Sequence, residues 1–230
     1  MTTEDFLKTY DVSQYDRPSL TTDVVIFTVD QKELKVLLSK RLAEPFEGAW
    51  ALPGGFLKLD RTLEENAKTI LKEKTGVKDV YIEQLFTFGD LDRDPRTRVI
   101  TVAYFALLPF KQLQAELNDH SQFVSIDNLP ELAFDHKAII EYARTRLANK
   151  IKYTTISFNL LNDKSAFTIG ELQKIHEAIL GKKLIRMNFR RDFIKQFVDT
   201  GKVEATGETS TAFSNKPSTV YRLLKMEDTV

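Results

Sequence analysis

The 230-residue chain carries 33 basic and 33 acidic side chains, with 42% apolar and 29% charged residues, the proportions of an ordinary soluble globular protein. Without cysteine it holds neither a disulfide framework nor a thiolate metal site. It has no apolar run near eighteen residues and no basic-then-apolar start, so neither a membrane span nor a secretory signal is visible, and a cytoplasmic location is expected. The neutral total hides a division: residues 151–230 hold 13 basic and 9 acidic side chains, leaving 20 and 24 for residues 1–150.

In chain order, residues 1–20 are polar with Tyr10, Tyr15 and Pro18, and read as an arm or short helix laid on the first domain. Asp23 to Val29 is a buried strand by its β-branched content, and Leu34 to Leu38 is its hairpin partner across Asp30-Gln31-Lys32. Arg41 leaves that hairpin toward a glycine-rich loop, Pro53-Gly54-Gly55-Phe56, that permits close backbone approach to a ligand. Trp50, the only tryptophan, is a core plug or a stacking platform for a ligand. Thr62 with Glu65 forms a capping box that starts a helix ending at Thr75, with Gly76 as its stop. Leu63, Ala67, Ile70 and Leu71 then face inward. Two strands follow, Val80 to Phe88 and Arg98 to Leu108, flanking a turn that clusters Arg93, Arg96 and Arg98. Those arginines suit phosphate oxygens, or else pair with Asp90, Asp92 and Asp94. A short strand at Phe123 to Ile126 and a helix from Asp135 to Lys150 complete a mixed β-sheet sandwiched by helices.

The texture changes near residue 150. A second capping box, Thr168 with Glu171, opens a helix stopped by Gly181, and Asn188 to Val198 forms another helix with Phe189, Phe193 and Phe197 inward. A polar hairpin over Gly201 to Thr219 follows, so residues 151–230 read as a winged helix after a first domain at 1–150. The fold class is therefore α+β. Lys182, Lys183, Arg186, Asn188, Arg190, Arg191 and Lys195 lie on or beside the second helix, with Lys216 in the hairpin. Arginine can fork onto guanine, asparagine onto adenine, and lysine can meet phosphate, so double-stranded DNA is the expected partner. The other reading is a protein-binding winged helix with a basic edge. His120, His136 and His176 are scattered and read as surface or helix-packing residues.

The stretch Leu52 to Val77 resembles the Nudix box, G-x5-E-x7-R-E-U-x-E-E-x-G-U, taken from Gly55. Gly55, Leu71, Glu73, Gly76 and Val77 agree with it, while Arg61, Thr69, Ile70 and Lys74 stand where it has Glu, Arg, Glu and Glu. One carboxylate of the metal-binding set remains, and Lys74 repels a divalent cation beside it. No metal and no hydrolysis are expected; the alternative is a Mg²⁺-dependent hydrolase of nucleoside-diphosphate derivatives that recruits Glu64 or Glu65.

Joined to LAFDHKAIIEYARTRL (132–147), FTIGELQKIHEAILGKK (167–183) and MNFRRDF (187–193), the whole chain is similar to the NrtR-type Nudix-related transcriptional regulators. That resemblance implies a dimeric DNA-binding repressor on a palindromic operator, whose Nudix domain senses a metabolite such as ADP-ribose or a sugar derivative. The ligand would meet Arg41, Trp50, Gly54, Gly55, Phe56, Glu73, Arg93, Arg96 and Arg98. In the wing, Asn215-Lys216-Pro217 replaces the family's Gly-Arg-Pro, so arginine's planar fork is missing there.

Overall fold

A computed structural model describes residues 2–78, 80–113, 120–211 and 216–226. The first strand, β1 (Ser19–Asp30), forms the middle of a mixed sheet: it runs antiparallel to β2 (Glu33–Lys40) and parallel to β6 (Val99–Leu107). The order is β3 (Trp50–Ala51), β2, β1, β6, β5 (Tyr81–Phe88), with β4 (Gly54–Phe56) on the start of β1 and β7 (Ser121–Ser125) on β2. Between β1 and β2 the chain reverses through Gln31 and Lys32 at φ 50° and 68°, the left-handed pair that matches strand twist in a two-residue hairpin.

Covered on both faces, β1 is buried without a break from Thr21 to Thr28. Its alternate residues serve two cores. Val24 and Ile26 meet Ala67, Ile70 and Leu71 of α2 (Leu63–Thr75), whereas Val25 and Phe27 meet Ile139, Ile140, Ala143 and Leu147 of α4 (His136–Lys150). The Thr62–Glu65 capping box is complete, and Gly76 closes α2 at φ 65°. A one-turn helix, α3 (Phe110–Leu113), follows β6.

The apolar face of α4 continues through Ile151, Ile156, Phe158, Leu160 and Leu161 into the core of the C-terminal unit. There α5 (Ile169–Leu180) and α6 (Arg186–Phe193) pack with a three-stranded sheet, β8 (Phe167–Thr168), β10 (Ser218–Leu223) and β9 (Val203–Ser210). Within it Phe193 meets Phe167 and Tyr221 edge to face and Phe197 at a tilt.

The structure departs from the sequence expectations in three places. The arm does not lie on the sheet domain: α1 (Thr3–Thr9) buries no side chain. Only half of the second capping box forms, with Thr168 Oγ1 accepting from Glu171 N, and Thr168 itself belongs to β8, paired with Val220 of β10. The last helix starts at Arg186, and its end, Ile194–Val198, widens to π geometry before Gly201 turns the chain at φ 68°. Asn215 lies outside the described residues.

Candidate functional site

A cleft of about 250 Å³ opens where β1, the glycine loop, the Arg93–Arg96 turn and the start of α4 meet. Of the expected ligand residues it gathers Arg41, Gly54, Gly55, Phe56, Arg93 and Arg96. Gly54 is there for close approach: a Cβ would stand 2.0 Å from Asp23 Oδ1. Gly55 has open space instead.

Arg41 donates from Nε to Pro45 O at 2.6 Å, and its guanidinium sits 4.8 Å from the centre of the Phe134 ring. Burial, then the charge of Arg96, draws its pKa down. No carboxylate among the described residues pairs with it. Arg96 forks onto Asp94 at 3.0 and 2.8 Å and lies 5.4 Å from the Phe56 ring and 5.8 Å from that of Phe134. Its hydrogen bonds hold the Asp94 carboxyl below the usual range, while Asp94 raises the arginine in turn. Two cations and two aromatic rings thus share one concave surface, an arrangement that suits an anionic ligand carrying a planar ring.

Four expected ligand residues do something else. Arg93 lines the floor, but its fork is taken by Asp135 at 2.9 and 2.8 Å, with Asp23 3.6 Å away, and its side chain is 4% exposed. Arg98 donates to Asp90 O at 2.9 Å outside the cleft. Trp50 packs half-buried against the core with Lys40 Nζ 5.3 Å from its ring and does not line the cleft. Glu73 is exposed on α2 and does not line the cleft.

Asp23, Phe134 and His136 also line the cleft and were not anticipated as ligand residues. The His136 ring is buried, and Nδ1 accepts from Leu52 N at 2.9 Å, which places the proton of the neutral ring on Nε2, 3.9 Å from Asp23 Oδ1. Burial holds its pKa below the ordinary value against the pull of Asp23. Phe134 holds the left-handed backbone at φ 56°, which turns its ring between the two arginines. The only sequence signal was the string FDH ahead of a helix.

Magnesium does not fit the box. Ile70 is packed into the α2 core, and Thr69 Oγ1 donates to Glu65 O at 2.8 Å. Glu64 pairs with Lys68 at 2.5 Å, and the Glu65 carboxylate accepts from Thr62 N and Oγ1, so both already have partners. Arg61 is exposed and Lys74 half-exposed. Among the described residues no group of three His, Asp or Glu side chains is placed to hold a metal ion.

The second surface surrounds α6. Lys182, Lys183, Arg186, Asn188, Arg190, Arg191, Lys195 and Lys216 are all exposed, while Phe193 and Phe197 turn inward. Lys183 pairs with Glu177 at 3.0 Å and Arg191 with Asp192 at 2.9 Å. The turn before α6 is fixed from α5: Leu184 N donates to Glu177 Oε1 at 2.9 Å, and Gln173 Nε2 donates to Leu184 O at 3.0 Å. At the head of α6, Ile185 and Met187 are 69% and 81% exposed, apolar groups suited to a thymine methyl in a major groove.

Comparison with known proteins identifies both units of the chain. A NUDIX domain profile matches residues 19–143 and the NrtR DNA-binding winged helix domain profile matches residues 157–223. The ADPR responsive transcriptional repressor NtrR of Acinetobacter baylyi is 40% identical over 223 residues, 94% of this chain and 86% of that one. The structure of Shewanella oneidensis NrtR complexed with a 27mer DNA superposes at TM-score 0.78 with 37% identity, covering 89% of this chain and 93% of that one. The NUDIX domain of the same protein complexed with ADP ribose gives 0.57 with 40% identity, covering 64% and 99%. The chain belongs to the NrtR family: it is a DNA-binding transcriptional regulator whose Nudix domain has lost the residues of catalysis.

Proposed function

We propose that this regulator is a repressor that holds ADP-ribose in the Arg41–Arg96 cleft of residues 1–150 and binds a palindromic operator, as a homodimer, through α6 of residues 151–230. The observation that carries the reading is the pair of guanidiniums flanking Phe134, in a cleft where the described residues place no group of three side chains to hold a metal. A diphosphate would meet Arg41 and Arg96, and Phe56 or Phe134 would stack on a ring. The ADP-ribose complex of the Shewanella NUDIX domain supports that ligand, and the DNA complex supports the α6 surface.

An effector shifts DNA binding only if it binds the competent and incompetent arrangements with different affinity. The lever is α4: it starts at the cleft with Asp135 and His136, and its inner face shares a core with α5. A DNA regulator works where DNA is, in the cytoplasm. Among the described residues no helix is long and apolar enough to cross a membrane.

Calorimetric titration with ADP-ribose, paired with fluorescence anisotropy on an operator selected from random DNA, tests the reading. Saturable binding of ADP-ribose that weakens operator affinity is the expected result. Unchanged operator affinity at saturating ADP-ribose would sink the effector assignment, and failure to enrich any palindrome would sink the dimeric operator.

A further inference from the structure

Ahead of β1 the chain carries a segment with nothing to pack on. Phe6, Leu7, Tyr10, Val12 and Tyr15 are 43–64% exposed, yet the segment is locally well formed. Thr2 and Asp5 close a capping box on α1, Lys8 pairs with Glu4 at 3.1 Å, and the Phe6, Tyr10 and Tyr15 rings follow one another at 5.4 and 6.1 Å. A contiguous exposed apolar surface of this kind marks an interaction site. It is also acidic: Glu4, Asp5, Asp11 and Asp16 face a single Lys8 over residues 2–16.

A complementary groove lies between α2 and the start of β5. It is an open furrow of about 450 Å³ whose floor includes Leu71, Val77, Val80 and Ile82; Lys72, Lys78 and Lys68, which pairs with Glu64, stand along its wall with Glu65, whose carboxylate is tied to Thr62. Lys68 and Lys72 share a helix face one turn apart, and neither Lys72 nor Lys78 pairs with an acid among the described residues. The furrow thus offers an apolar floor and cations to an apolar, acidic helix.

We infer that the arm of one copy, residues 2–16, docks in the α2–β5 groove of a second copy, with the two arms exchanged reciprocally. The inference rests on the homodimer proposed above and names its contact. The arm leaves its own domain at Ser19, beside Val99, whereas the groove borders Ile82, opposite Ala106 seven residues along β6, about 23 Å away. Exchange about a two-fold axis buries both arms at once, which brings the area toward that of a stable interface.

The chain has no cysteine, so disulfide trapping reads the contact directly. Full-length Leu7→Cys and Lys78→Cys proteins, purified separately, mixed and oxidised, are expected to give a covalent dimer containing one of each. The Leu7→Cys/Lys78→Cys double variant is expected to give linked dimers and no internally linked monomer. Lys68→Glu with Lys72→Glu should weaken dimerisation in sedimentation by about tenfold or more, and Glu4→Lys with Asp11→Lys should restore it. An internally linked monomer would mean the arm covers its own groove, which overturns the exchange. No cross-link from a protein that still sediments as a dimer overturns the arm contact and leaves the homodimer standing, whereas a monomer at all concentrations overturns both.

Discussion

Arg93 and Asp135 lie in a bidentate pair, Nε and Nη2 donating over 2.9 and 2.8 Å, and this pair joins the turn of the ligand cleft to the residue that caps α4. Asp135 occupies the N-cap position yet makes no side-chain cap, because its carboxylate is held by the arginine. Asp23 stands 3.6 Å from the same guanidinium, so one buried cation serves two acids. Arg93→Ala would leave both acids without it and is expected to cost about 3–5 kcal/mol of stability. Arg93→Lys keeps the charge without the fork and should lose less. Urea unfolding of the three proteins checks the order, and a variant as stable as the parent would show that the pair does not hold α4.

The elements were legible in the sequence because their signals are local. Thr62 with Glu65 and the glycine stops lie within a few residues of what they govern, and Phe193 and Phe197 mark their own face. The α6 basic set was legible for the same reason. The cleft was only half legible: Arg41 and Gly54 follow from the hairpin and the loop, but Phe134 and His136 join them from eighty or more residues away. Asp23 read as one end of a strand until Gly54 was placed against it. Three arginines in one turn looked alike, and only the fold separates Arg93, held by Asp135, from Arg96 over its rings and Arg98 outside.

That separation gives an ordered series for ADP-ribose binding. Arg41→Ala removes a cation with no acid of its own, so affinity should fall about 10- to 100-fold. Arg96→Ala should also weaken binding, although Asp94 is then left facing the ligand, which adds repulsion to the lost contact. Arg98→Ala should leave the dissociation constant unchanged. Calorimetric titration distinguishes them, and equal losses for Arg41 and Arg98 would remove the cleft from consideration.

The two loop glycines make a second contrast. In Gly54→Ala the added methyl meets Asp23 Oδ1 and forces the carboxylate or β4 to shift, at a cost of about 1–3 kcal/mol, with ligand binding impaired. Gly55→Ala enters open space and should be tolerated. Thermal melts with and without ADP-ribose check both, and a silent Gly54→Ala would contradict the packing of the loop on β1.

At the DNA surface, residues on α6 and those outside it should differ in kind. Asn188→Ala or Arg190→Ala should weaken operator binding far more than random DNA binding. Lys182→Ala should weaken both alike and reduce the slope of log affinity against log salt by about one. Anisotropy titrations at several salt concentrations read both quantities. If all three variants change only the slope, α6 contacts the backbone alone and sequence is read elsewhere.

Acid stability follows from two buried histidines. His176 lies inside the C-terminal unit with Nε2 2.9 Å from Ser157 Oγ and its ring against Phe189, and burial lowers its pKa from 6.5 to about 4. The unfolded chain therefore takes up a proton on this ring at a pH where the folded chain does not. Stability is complete above pH 6.5 and falls as the pH drops toward 4, by about 3 kcal/mol over the whole window. Burial depresses His136 as well and adds loss of the same sign. Glu177 adds to it at lower pH: burial raises its pKa, but hydrogen bonds from Leu184 N, Gln173 and Lys183 outweigh that and lower it, so protonation loosens the turn ahead of α6. Urea unfolding at pH 7 and pH 4.5 should show the decline, and His176→Gln, which keeps a hydrogen-bonding group without the titration, should flatten it. A parent protein equally stable at both values would mean that His176 is hydrated in the folded state, and the packing of α5 on Ser157 would have to be redrawn.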